Sequence, residues 1–123
     1  MKIVKFILCL LFGLTFMNAG LNKFFNYMPT PQLTEVQQKF FGAFMQITWL
    51  MPLVATIEIL GGLLFIFPKT RALGAIVILP VMVGILIHHS VIDPSGLAMA
   101  LVLFAINLWI IIDNYKKYRV LIS

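Results

Sequence analysis

The sequence predicts an all-α integral membrane protein, a four-helix bundle with one amphipathic segment lying in the membrane interface between its first and second helices. Three observations predict it. Of the 123 residues, 62% are hydrophobic and 11% charged, against roughly 45–50% and about 25% in soluble domains, so a soluble fold of this length would lack polar side chains to cover its surface. Four stretches approach the roughly 20 apolar residues that a helix needs to cross about 30 Å of hydrocarbon. The connections between the later stretches are tight, so the chain reads as one transmembrane domain over residues 1–123.

The first span is expected over about 6–25. Lys2, Lys5 and the apolar run from Phe6 to Phe16 also suit a secretory signal, but Met17 is too large for a cleavage position and apolar residues resume through Phe25, so the span is expected to be retained. The connection after it contains Pro29 and Pro31 and is not regular helix. Thr34-Glu35-Val36-Gln37 then matches a capping box, and Val36, Phe40, Phe41, Phe44 and Ile47 fall on one side of the helix it would start. That places an interfacial helix over about 34–46. The second, third and fourth spans are expected over about 47–67, 72–89 and 96–112, joined by Pro68 to Arg71 and Ser90 to Ser95, so they are antiparallel neighbours. Pro52 and Pro80 interrupt two of them and free backbone carbonyls one turn back, where kinks would open a cavity beside Glu58.

Charge gives orientation. With the N-terminus inside, Lys2, Lys5, Lys69, Arg71, Lys116, Lys117 and Arg119 lie on the cytoplasmic side, and only Lys23 and Lys39 lie outside. A multi-pass protein with both termini cytoplasmic follows, with Trp109, Tyr115 and Tyr118 as an aromatic belt on that face. The formal charge of +5 is thereby absorbed by topology and the bilayer, and no nucleic-acid surface is expected. Cys9 is the single cysteine, which excludes a disulfide framework or a thiol relay within the chain.

Ionisable groups inside spans are costly and therefore informative. Glu58 lies eleven residues after Ile47, about 17 Å along a helix and close to the midplane, with neither a topological nor a capping reason to be there. It is expected to be protonated or paired with a cation. Asn107 shares its depth, so a Glu58–Asn107 hydrogen bond is a geometric option. At the outer mouth lie Asn22, Lys23, His88, His89 and Asp93, with Asp93-Pro94 reading as an N-cap followed by proline at the first helical position. Gly74, Val77, Val81, Gly84 and His88 form a small-residue seam that packs between helices, so His88 faces the bundle while His89 diverges by about 100°. Helix one offers two faces, Thr15, Asn18 and Asn22 on one and Gly13, Gly20 and Lys23 on the other; either suits the interior, and a homo-oligomer would use both.

The chain has no phosphate-binding glycine loop, nucleophile triad or HExxH. Adjacent histidines do not supply a haem pair. The spacing of His88, His89 and Asp93 is nonspecific for a metal, and no metal site is expected. What remains is a column of polarity descending from the outer mouth towards Glu58.

On Gly20-Leu21-Asn22-Lys23-Phe24-Phe25, Glu58-Ile59-Leu60-Gly61-Gly62, His88 and Asp93-Pro94-Ser95-Gly96, the sequence resembles the DoxX family of small four-span bacterial membrane proteins. The resemblance covers nearly the whole chain. It singles out Gly20, Lys23, Glu58, Gly61, Gly62 and His88, and turns the glycine face of helix one inward. The family is named for a small subunit of a quinone-linked oxidoreductase, and most members have no demonstrated activity. The resemblance therefore implies a bacterial inner-membrane subunit or accessory of a quinone-linked redox system, with an oxidoreductase partner and without an electron carrier of its own. Glu58 and Lys23 would shape a pocket for a quinone or similar lipid-soluble molecule, with Asn18 and Asn107 as further polar contacts and His88 passing protons at the mouth. Gly20, Gly61, Gly62 and Gly84 are the packing residues. Two other readings stand beside it: a small proton-coupled permease with Glu58 as coupling site, and a structural or assembly protein whose polar residues only specify packing.

Overall fold

The computed structural model describes residues 2–27 and 32–122. Residues 28–31, which include the two prolines of the first connection, lie outside the described residues. Helices follow one another without a strand among the described residues: α1 (Lys2–Phe25), α2 (Glu35–Gln46), α3 (Leu50–Ile66), α4 (Arg71–Val91), a short 3-10 turn (Pro94–Gly96), α5 (Leu97–Asp113) and α6 (Tyr115–Arg119), with a last 3-10 turn over Val120–Ile122. Among the described residues, three segments are long and apolar enough to cross a membrane, namely α1, α4 and Pro94–Asp113. A fourth is present where α2 and α3, bent by 92°, count as one span. Large apolar side chains such as Leu11, Leu60, Leu73 and Val102 face outward from α1, α3, α4 and α5, the inverse of a soluble surface. The chain is an all-α, multi-span membrane protein.

The second span was expected from residue 47, but the helix starts at Leu50, after Ile47–Trp49 turn the chain. Pro52 then falls in the first turn of α3, where its missing N–H is one that the helix would leave unpaired anyway. It begins a helix instead of interrupting one. Pro80 does sit inside α4, so the carbonyl of Ile76 loses its helical donor. The capping box forms as read: Thr34 Oγ1 accepts the Gln37 amide at 3.2 Å, and the Gln37 side chain accepts the Thr34 amide at 3.0 Å.

The core joins α1 to α3, α4 and α5 through Cys9, Phe12, Phe16, Phe65, Ala75, Ile78, Met82 and Ile110. Phe12 stacks on Phe65 with ring centroids 4.2 Å apart. Small residues let the backbones close up. A Cβ on Gly20 would stand 2.6 Å from the carbonyl oxygen of Ala55, one on Gly62 would stand 2.6 Å from that of Gly13, and one on Gly74 would stand 2.6 Å from the Phe65 amide nitrogen. Helix α1 therefore presents its glycine face to α3, and Asn18 is exposed. At the α3–α4 turn, Arg71 is buried and caps α3: its Nε donates to Phe65 O at 3.0 Å and its Nη2 to Ile66 O at 2.9 Å, while Thr70 Oγ1 donates to Leu64 O at 2.7 Å. Three carbonyls that a helix end leaves without partners are thus satisfied. Between α1 and α5 the contact is slight, and a Lys5–Asp113 ion pair links them.

Candidate functional site

Because α1 and α3 approach through glycine, a side chain near the end of α1 reaches the middle of α3. Lys23 Nζ lies 2.7 Å from Glu58 Oε1. Glu58 is 2% exposed and Lys23 is partly buried. The pair is one answer to a carboxylate at membrane depth: two opposite charges at contact distance offset much of what each loses on leaving water. Glu58 is cation-paired, and the cation comes from the helix-one face that sequence periodicity alone left open.

Glu58 and Lys23 line a cavity of about 760 Å³. Its wall on α4 runs from Pro80 to His88, nine residues and therefore about 12 Å from first to last. On the other side α2 contributes Phe40, Phe41 and Phe44, and the turn after α4 contributes Asp93 and Ser95. The polar groups are few and lie on a mostly apolar wall, the composition typical of small-molecule sites, and the volume falls within their usual range of about 300–1,000 Å³.

His88 is in this wall, with its ring 4.7 Å from that of Phe40 and 5.8 Å from that of Phe41. Its Nδ1 is hidden from solvent and has no hydrogen-bond partner among the described residues. His89 does not diverge from it as expected: the two rings meet edge to face at 5.0 Å. The reason is that His89 Nδ1 is drawn to the carbonyl oxygen of Asp93, at 3.0 Å, which swings the ring along the helix end towards the same mouth. Asp93 occupies the position before Pro94 as read, but its carboxylate makes no capping bond there and accepts the Ser95 hydroxyl. That hydrogen bond holds the Asp93 carboxyl below the usual carboxylate range.

The remaining expected residues are placed elsewhere. Asn107 is fully buried, but it does not meet Glu58: its Nδ2 donates to Ala75 O at 3.1 Å, tying α5 to α4. Helix α4 packs against both α3 and α5 and stands between the two side chains. Asn18 takes the Tyr27 hydroxyl on the outer face of α1 and does not line the cavity. Gly20, Gly61 and Gly62 are packing residues, but Gly84 is not. A Cβ on Gly84 would meet nothing within 4 Å, because the seam of small residues opens there into the cavity. The phenylalanines of α2 and the capping role of Arg71 were not anticipated. The first were read as the apolar side of an interfacial helix and the second as a topological charge.

Comparison with known proteins finds that the DoxX family model matches residues 4–90. No curated protein matches the chain, and no solved structure matches it.

Proposed function

The chain belongs to the DoxX family, and from that premise we propose that it is a small inner-membrane accessory or subunit of a quinone-linked redox system, binding a lipid-soluble molecule with a polar head beside Glu58. The observation that carries this reading is the cavity of about 760 Å³ with the Lys23–Glu58 pair in its wall. An apolar wall suits a hydrophobic body. A fixed ammonium suits an acceptor such as a quinone carbonyl oxygen, and the carboxylate beside it suits a donor such as a quinol hydroxyl. A quinone, when bound, would supply two-electron, two-proton carrier chemistry. The chain's own residues would do the rest: Lys23 and Glu58 hold the head and a proton beside it, Phe40, Phe41 and Phe44 keep water out, and His88 stands where a proton leaves. Electron transfer itself falls to an oxidoreductase partner. In this reading α2 lies in the interface and α3, bent away from it, makes the remaining span, with both termini cytoplasmic in accord with the basic residues.

The test is labelling of the full chain in lipid nanodiscs with a photoreactive short-chain quinone. Peptides from α2, α3 and α4 that line the cavity are expected to carry the label. Glu58→Gln should weaken competition by unlabelled quinone about tenfold, the value of roughly one lost charged hydrogen bond. Gly84→Phe, which fills space that is open in the cavity, should abolish labelling in a folded protein. Labelling indifferent to both changes would overturn the reading.

A further inference from the structure

We propose that His88, His89 and Asp93 form a binding site for one divalent transition-metal ion of the zinc class at the mouth of the cavity. One nitrogen from each imidazole and one carboxylate oxygen lie within 4.8 Å of one another. Around an ion with bonds of about 2.0–2.2 Å, tetrahedral ligand atoms stand about 3.4 Å apart, so rotation of three side chains by little more than 1 Å completes the set. Two imidazoles and a carboxylate select zinc, cobalt, nickel or iron(II) over calcium or magnesium, which prefer all-oxygen sites.

Three local features prepare these residues for coordination. First, the Nδ1 of His89 faces the carbonyl oxygen of Asp93 at 3.0 Å. That contact holds the ring at the mouth with the same nitrogen 3.8 Å from Asp93 Oδ2, and hydrogen bonds of this kind are how metal-binding histidines are usually oriented. Second, the His89 ring lies flat against Gly96, where any Cβ would overlap its Cε1 and Nδ1. Glycine at that position is what lets the ring sit there. Third, the hidden Nδ1 of His88 has no partner among the described residues, and buried polar atoms rarely stay so without a ligand or water. The charge balance is also favourable. Lys23, the cation in the same cavity wall, is already paired with Glu58, so a dication beside Asp93 meets no uncompensated lysine there. The three ligands leave one position facing the cavity, for water or for an oxygen of whatever occupies it. The site does not rest on the quinone reading, since all its ligands belong to this chain.

The experiment is a titration of the full chain in nanodiscs, after treatment with a chelator, with Zn²⁺ by calorimetry and with Co²⁺ by visible absorption. One ion per chain is expected, with ligand-field bands of a low-coordinate nitrogen–oxygen site. His89→Gln and Asp93→Asn should each weaken binding at least tenfold. Gly96→Ala keeps every ligand and should still weaken it about tenfold by displacing the His89 ring. Glu35→Gln, on exposed α2, should change nothing. Metal-free melting curves identify folded variants, and His89→Gln and Gly96→Ala decide the matter between them. No saturable uptake, or equal affinity in wild type and both variants, would overturn the proposal.

Discussion

The Lys23–Glu58 contact sets the terms at the scale of single residues. Removing one partner of a buried pair leaves a charge without compensation, which typically costs about 3–5 kcal/mol, whereas replacing both with apolar groups is often near neutral. Lys23→Met is therefore expected to destabilise the protein strongly in thermal unfolding, and Lys23→Met/Glu58→Leu to recover most of the loss. If the double variant were no better than the single one, the two side chains would not be acting as a pair. A second test concerns Tyr118, outside the spans. Its hydroxyl donates to Ala72 O at 2.7 Å, and burial raises its pKa above the ordinary phenol value of 10.0. A folded-state pKa above the unfolded one means that the stabilisation is complete below pH 10 and declines as pH rises through the folded value. Wild type should lose melting temperature in that alkaline window, and Tyr118→Phe should lack this component of the loss. Sequence arithmetic was enough to find Glu58, because depth follows from counting residues along a helix. It was not enough to find the partner. Helix one has two polar faces of equal merit, and only the resemblance favoured the one that bears Lys23.

Whether two helices touch depends on what stands opposite, which periodicity does not record. Gly74 and Gly84 belong to one seam of spacing three and four in α4, yet the first lies against the α3 backbone and the second opens on the cavity. Gly20→Ala places a methyl group 2.6 Å from both Ala55 O and Ile59 Cγ1. It should cost about 1–3 kcal/mol, the usual range for overpacking. Gly84→Ala should fall within about 0.5 kcal/mol of wild type. Denaturation of both variants in mixed micelles measures the contrast, and equal effects would argue against a close α1–α3 approach. The capping box of α2 was legible because its pattern is local and its physics is complete within four residues. Thr34→Ala should cost about 1 kcal/mol, seen first as faster amide exchange in the first turn of α2. Arg71 shows the opposite case. As one of seven basic residues on the inner side it reads as a topological charge, and only the short Phe67–Thr70 turn, which must return the chain past the α3 carbonyls, hints at its capping role.

For the molecule as a whole, composition and span count gave the membrane class and the helix order, since hydropathy is a sum over many residues and survives local error. The 92° break between α2 and α3 was not legible in those sums. In the proposed four-span topology, antiparallel helices put residue 42 and residue 90 on one membrane face and residue 69 on the other. With Cys9 fully buried, Gly42→Cys and Ser90→Cys should react with an impermeant thiol reagent from the same side, and Lys69→Cys only from the opposite side. Reaction of positions 42 and 69 from one side would contradict the order of spans.

Helix length carries a further consequence. At 1.5 Å per residue, the 24 residues of α1 measure about 36 Å and the 17 of α3 only about 25 Å. A bilayer thick enough for the first is too thick for the second, so lipid beside α3 must thin or draw α2 inwards. The protein is thereby sensitive to acyl-chain length on the flank of α3, and the phenylalanines of α2 that close the cavity are the part that feels it. In longer-chain lipid, labelling of Gly42→Cys should slow as the sheath of hydrocarbon rises around α2.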